Sequence, residues 1–172
     1  MASILDFSTA LEESARPSQF RITINFPLLA DNATEATRRS TSLVCNGNVP
    51  SSSIQDIEVY YRGRVIHEAG EKVFNPWECT LYNDVNYVVR SALESWANMI
   101  RVPDTTDGAA LPTEYKSTIT VEQLNRNGDT TRTYTLIGAY PTEVGQISLD
   151  YSQANTIQTY TVNFVYDYFL AG

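Results

Sequence analysis

The dominant period of the apolar residues in this chain is two. In "QFRITINF" (19–26), Phe20, Ile22, Ile24 and Phe26 alternate with Gln19, Arg21, Thr23 and Asn25. Successive side chains of a strand point to opposite faces, so this spacing predicts a strand with one face buried. Pro17 and Pro27 punctuate its two ends. The same period governs "TIQTYTVNFVYDYF" (156–169), which reads as one long final strand. Tyr160, Val162, Phe164, Tyr166 and Tyr168 share one of its faces, and Thr159, Thr161, Asn163, Val165 and Asp167 the other. Chain ends usually fray, and the aromatics of this last element, Phe169 included, tie this one down.

The elements between follow from the same reading. "LLADNATEATRRSTS" is polar and turn-rich and predicts a long hairpin loop over 27–41, and "SLVCNGNVP" a strand that stops at Pro50. "EKVFNPWECTLYND" (71–84) predicts a strand with Trp77, Cys79 and Leu81 on one face, and Pro76 marks an edge or a bulge. Asp84 then N-caps a helix over 85–101, in which Val85, Val89, Leu93, Trp96 and Ile100 form an apolar stripe. It is the one helix that the pattern supports. "VPDTTDGAALPTEY" (102–115) is a linker. "STITVEQL" (117–124) and "TTRTYTLIG" (130–138) form a hairpin about Asn127-Gly128. "GQISLDY" predicts a further strand, joined to the last by the turn "SQAN". The fold class is mainly β: a sandwich or barrel of two packed antiparallel sheets with one flanking helix.

One segment does not fit that mould. "PSSSIQDIEVYYRGRVIHEAG" (50–70) has the serines and glycine of a loop, yet it carries Ile54, Ile57, Val59, Tyr60, Tyr61, Val65 and Ile66. Long loops in compact domains are functional or disordered, and this one is too apolar and aromatic for disorder. Arg62, Arg64, His67 and Glu68 supply a polar rim around an apolar centre, the anatomy of a subunit contact. The segment reads as an interaction arm.

At 172 residues, 42% hydrophobic and 19% charged, the chain predicts a single domain over 1–172 with a core that needs no staples. No apolar run approaches the ~20 residues of a membrane span, so no membrane anchor is expected. "MASILDFSTALEES" lacks the basic start and apolar centre of a secretory signal; folding in a cytoplasm is expected. A net charge of −8 argues against a protein that grips nucleic acid, because phosphate contacts need patches of Lys and Arg. It does not exclude one that lets nucleic acid slide past.

Chemistry is sparse. Cys45 and Cys79 sit far apart in strand-like stretches and read as reduced thiols; with no CxxC and no His cluster, no metal site is expected. The single histidine, His67, has no partnered nucleophile in the sequence, and none of the motifs GxSxG, HExxH, GxxxxGK or GxGxxG occurs. Acidic pairs such as Glu12/Glu13 do not define a glycosidase without a cleft, Gly108 and Gly128 sit in turns, and Trp77 and Trp96 have core spacing. Neither catalysis nor a cofactor is expected.

Four stretches in order, "ARPSQFRITI", "FNPWECTLYND", "GAYPTEVGQISLDY" and "NTIQTYTVNFVYDYF", resemble the tail tube protein of contractile-tailed bacteriophages, over nearly the whole chain. The resemblance implies a structural virion protein. Its subunits join edge to edge into hexameric rings, and the rings stack into a hollow tube that conducts the phage genome into the host when the sheath contracts. It implies self-association, a tail sheath protein outside, baseplate and tail terminator proteins at the ends, and the tape measure protein and then DNA in the lumen, held weakly and without sequence preference. Assembly takes place in the bacterial cytoplasm. On this reading the arm (Ile54, Ile57, Val59, Tyr60, Tyr61, Arg62, Arg64, Val65, Ile66 and His67) reaches a neighbouring subunit or ring. The small polar faces Thr118, Thr120, Glu122 and Thr159, Thr161, Asn163 are candidates for the lumen wall. The related architecture of the haemolysin-coregulated tube protein leaves a type VI secretion or phage-like injection tube as the alternative. A monomeric β-sandwich binding module is the reading from a different class.

Overall fold

The computed structural model of the chain describes Ile4, Phe7, residues 15–102 and residues 111–172. Glu12/Glu13, Gly108 and most of the expected linker lie outside the described residues. Nine strands and three helices follow in order among them: β1 (Phe20–Ile24), α1 (Ala33–Leu43), β2 (Val44–Gly47), β3 (Ser52–Tyr61), β4 (Arg64–Phe74), β5 (Trp77–Tyr82), α2 (Val88–Ile100), α3 (Pro112–Tyr115), β6 (Ser117–Leu124), β7 (Thr130–Val144), β8 (Thr159–Val165) and β9 (Tyr168–Ala171).

Alternation builds two antiparallel sheets that share one strand. The first runs β1-β6-β7-β9, and the second runs β7-β8-β5-β2. The 15-residue β7 belongs to both. It changes sheets at Gly138, whose φ of 71° lies in the region open to glycine. A Cβ there would collide with the Asp167 carboxylate. That carboxylate is held by Lys116 Nζ at 2.7 and 2.8 Å, and Asp167 N–H donates to Ile137 O at 2.9 Å. The inward residues of both sheets meet in one core: Ile22, Ile24, Ile119, Val121 and Leu136 from the first, Cys79, Leu81, Val162 and Phe164 from the second. Trp96 of α2 sits between them, its ring 5.5 Å from Phe26 and 6.1 Å from Phe164, with its indole N–H on Tyr115 O at 2.7 Å. The mainly β, antiparallel architecture agrees with the alternation, and Trp77 and Trp96 are core.

Several boundaries differ. The expected loop over 27–41 is largely helix α1, and the strand after it shrinks to Val44–Gly47. The helix sequence "ATEATRRSTSL" has few apolar residues, so its period was hidden. Ala33, Ala36 and Ser40, at spacings of three and four, bury one face. Tertiary contact, not propensity, makes the helix. The second helix begins at Val88 instead of 85, because Asp84–Tyr87 forms a turn (Tyr87 N–H to Asp84 O, 2.9 Å) and Tyr87 takes φ 53°. Val85 is therefore 95% exposed, outside the stripe, while Val89, Leu93 and Trp96 are buried as the spacing requires. Residues 71–84 are the end of one strand and the whole of another, parted at Asn75-Pro76. "GQISLDY" is no strand; β7 instead extends to Val144 and an irregular connection follows. The final strand breaks at Tyr166-Asp167, and the break reverses the faces: Tyr168 turns outward, and Phe169 turns inward against Phe74 (5.6 Å), Tyr134 (6.2 Å) and Tyr166 (6.4 Å).

Candidate assembly surfaces

The segment read as an arm is a β-hairpin. Strands β3 and β4 pair from Ser52↔Phe74 to Tyr61↔Arg64, with an irregularity between Ile54 and Asp56. Arg62 (φ 48°) and Gly63 (φ 79°) make the two-residue turn, the conformation that matches strand twist. Every residue of β3 is exposed, and at ~3.3 Å per residue its ten residues reach about 30 Å. The base is anchored. Phe74 packs on Tyr166 (6.1 Å), and Tyr166 Oη donates to Ser51 O at 3.3 Å. Alternation had been legible here too (Ile57, Val59 and Tyr61 against Asp56, Glu58 and Tyr60), but Arg-Gly is a weaker turn signal than Asn-Gly.

Pairing sorts the arm residues onto two faces in place of a centre and a rim. One carries Ile57, Val59, Tyr61, Arg64, Ile66 and Glu68; the other carries Asp56, Glu58, Tyr60, Val65, His67 and Ala69. Ile54 lies near the base. The large apolar side chains from Ile54 to Ile66 are 43–73% exposed, and the face with Ile57, Val59, Tyr61 and Ile66 holds most of them, a cluster that monomers rarely leave bare. The polar groups tie to one another: His67 Nδ1 lies 2.6 Å from Asp56 Oδ2, Tyr60 Oη donates to Glu58 Oε2 at 2.5 Å, and the Arg62 guanidinium stands 5.3 Å from the Tyr61 ring centre. The hydrogen bond to Glu58 raises the Tyr60 phenol above its ordinary pKa. Asp56, Glu58 and His67 bring their ligating atoms within 4.8 Å of one another, a juxtaposition that spacing in the chain did not reveal. All three side chains are exposed.

The two polar faces fall on different sheets. Thr118, Thr120 and Glu122 are half-buried on the outer face of the first, in rows with Thr23, Thr135, Arg21 and Thr133. Asn25 Nδ2 donates to Thr118 Oγ1 at 2.9 Å, and Arg21 lies 3.5 Å from Glu122. Thr159, Thr161 and Asn163 lie on the outer face of the second, beside Tyr82, Thr80 and Glu78. Asn163 Nδ2 donates to Glu143 Oε2 at 3.1 Å. With one core between the sheets, the two sets point away from each other.

The cysteines are free. Burial raises the Cys79 thiol, and Cys45 donates to Thr80 O at 3.4 Å. Helix α1 is held to the α2 side by a charged chain. Glu35 receives Arg38 at 2.7 Å and Arg39 at 2.6 Å, and Arg39 reaches Asp84 at 2.9 Å. Hydrogen bonds from Arg38 and then Arg39 pull the Glu35 carboxyl down to about 2.

A two-sheet shell with open strand edges and a long apolar hairpin standing clear of its own core defines a self-assembling structural subunit. Similarity gives the family. The phage tail tube protein family matches residues 15–171, and the chain belongs to it. A tail tube protein of Serratia phage KSP90 is 30% identical over 169 residues, 96% of this chain and 95% of that one. Tail tube protein gp19 of Enterobacteria phage T4 is 29% identical over 166 residues, 95% of this chain and 96% of that one. The fold matches the sheath/tube terminator of the extracellular contractile injection system PVC in its extended state (TM-score 0.66, 15% identity, 92% and 96% of the two chains). It also matches a chain of the sheath-tube complex of that system (TM-score 0.58, 18% identity, 100% and 99%).

Proposed function

We propose that this chain builds the inner tube of a contractile phage tail, as hexameric rings stacked within a sheath. Baseplate and terminator proteins bind the ends; the tape measure protein and then the genome occupy the lumen. The carrying observation is the hairpin, an ordered apolar projection with no packing partner in its own described chain beyond the base. On this reading the hairpin packs against a neighbouring ring, and its exposed apolar side chains support that role. The first sheet is the lumen wall, with Thr118, Thr120 and Glu122 facing inward, and Thr159, Thr161 and Asn163 on the outside. That sheet contributes four strands; six copies make a barrel of about 24 strands, wide enough to leave an aqueous channel. The threonines of this wall carry no charge, and its cation, Arg21, is paired with Glu122 at 3.5 Å, which weakens its hold on passing phosphates. Negative-stain microscopy of the purified full chain tests the assembly: hollow tubes or rings are expected, and monodisperse globules across salt and concentration would return it to a binding module. Thr118, Thr120 and Glu122 changed together to Lys test the wall. Particles should assemble but deliver their genome poorly, and normal infectivity places this face elsewhere.

A further inference from the structure

The register of the hairpin gathers donor atoms that neither the core nor the apolar face uses. Near the base the strands pair as Ser53↔Val73 and Ile54↔Lys72; past the irregularity they pair as Asp56↔Ala69, Ile57↔Glu68 and Glu58↔His67. Two steps along β3 thus match three along β4, so β4 carries one extra residue at Gly70-Glu71. Gly70 admits it, since a Cβ there would stand 2.8 Å from Gln55 O. The extra residue decides which side chains meet. In the register of the base, Glu58 would face Glu68, and His67 would lie on the other side of the ribbon. The shift instead sets His67 opposite Glu58, with Asp56 next along the same face. His67 Nδ1 stands 2.6 Å from Asp56 Oδ2, and one ligand atom from each of the three residues lies within 4.8 Å of the others. Tyr60 holds Glu58 in place by its 2.5 Å hydrogen bond to Oε2. Among the described residues neither carboxylate has a lysine or arginine partner. Arg64 lies on the other face, and Lys72 stands over the Phe74 and Phe169 rings at 5.3 and 5.8 Å.

We propose that Asp56, Glu58 and His67 form a site for a zinc-class divalent ion that links β3 to β4. The donor set selects the ion. An imidazole nitrogen with two carboxylate oxygens suits Zn²⁺, Co²⁺ or Ni²⁺, whereas Mg²⁺ and Ca²⁺ favour oxygen alone. Two carboxylates beside a neutral imidazole also balance the charge of a divalent ion. Metal–ligand bonds of ~2.0–2.2 Å set tetrahedral ligands about 3.3 Å apart. Exposed side chains whose ligand atoms already lie within 4.8 Å reach that spacing by small rotations, with the fourth position open to water. The location gives the ion a task. A two-stranded ribbon is marginally stable alone, and this one has no core beneath it past its base. A cross-strand link between base and turn stiffens the ribbon and leaves the opposite face, with Ile57, Val59, Tyr61 and Ile66, free. The inference stands apart from the tube-subunit reading.

Titration of the full-length Cys45→Ser protein with Co²⁺ tests the site, since Cys79, the remaining thiol, is buried. Visible absorption that saturates at one ion per chain and is displaced by Zn²⁺ is expected. His67→Ala should abolish it. Loss of an outer partner of a metal ligand weakens binding ~10–100-fold, so Tyr60→Phe should cost about tenfold, and Asp56→Asn or Glu58→Gln more. The decisive variant is His67→Ala with Glu68→His, which keeps one imidazole in the hairpin but turns it to the other face. It should not bind. All these side chains are exposed, so with chelator present every variant should melt with the parent. Unchanged binding by His67→Ala or by the face-swapped variant overturns the site, as does the lack of a saturable Co²⁺ signal. Hydrogen exchange reads the link itself: Zn²⁺ should slow amide exchange across β3 and β4 and leave β1 and β8 unchanged. Equal effects on all four strands, or none, overturn it. Tubes from a chain with no Co²⁺ site overturn this inference and leave the tube reading standing; a saturable site on a chain that never assembles does the reverse.

Discussion

The sandwich and the β3–β4 hairpin use the same alternating pattern and come to opposite ends. In β8 the pattern hides Tyr160, Val162 and Phe164 against a second sheet and a helix; in β3 it leaves Ile57, Val59 and Tyr61 in solvent. Side-chain character is similar, and only the presence of a partner differs. Apolar groups in the sandwich therefore stabilise the folded chain, while those on the hairpin contribute only where a partner covers them, on the proposed reading a second copy. Monomer stability and tube assembly should respond to different residues.

The sharpest way to break that contrast is at its centre. Phe164 is fully buried between Trp77 and Trp96. Phe164→Ala should cost about 3–5 kcal/mol and lower the denaturant midpoint steeply, taking assembly with it. A small shift in urea unfolding would show that the sandwich tolerates a void there. Ser40→Ala comes next, at roughly 1–3 kcal/mol, since Ile24 N–H is left buried without its acceptor. Gly138→Ala should cost a similar ~1–3 kcal/mol, from a positive φ and the displaced Asp167 carboxylate. Its partner Lys116 has a pKa raised chiefly by the hydrogen bond to Asp167. The stabilisation from that pair is complete below the unfolded lysine value and is lost as pH rises through the folded one. A melting profile at alkaline pH should show a step that Lys116→Met lacks.

On the hairpin the expectation reverses. Tyr60→Ser with Tyr61→Ser should change monomer stability by no more than ~0.5 kcal/mol, as for exposed sites generally, yet abolish tubes. Unfolding of that double variant would make the hairpin part of the core. Full-length tubes from it would make the hairpin ornament. Smallest of all is the acid response of Glu35. Its folded pKa near 2 lies below the ordinary carboxyl value of 4.5, so its contribution is present above the latter and fades toward pH 2. The pair is exposed, so a melting profile over that range should shift only slightly against Glu35→Gln.

Much of this was legible along the chain. The period of two in 19–26 and 159–165 named the buried faces residue by residue, because a strand's geometry leaves no other assignment of sides. Val89, Leu93 and Trp96 gave the helix that plugs the sandwich, and the excess apolar character of 50–70 set that segment apart but did not reveal its two strands. Helix α1 was not legible. Its residues hold it by hydroxyl bonds to the edge of β1, and such bonds depend on a partner far away in sequence. Nor was the reversal at Asp167, which depends on Lys116 and on Gly138 yielding space. The two polar faces read alike as strings of Thr and Asn, and only the shared core sends them in opposite directions. Sequence determines which side of each strand is apolar, since that is a local matter of alternation. Which edges stay open, and which polar face looks where, depends on long-range pairing that only the folded chain brings together.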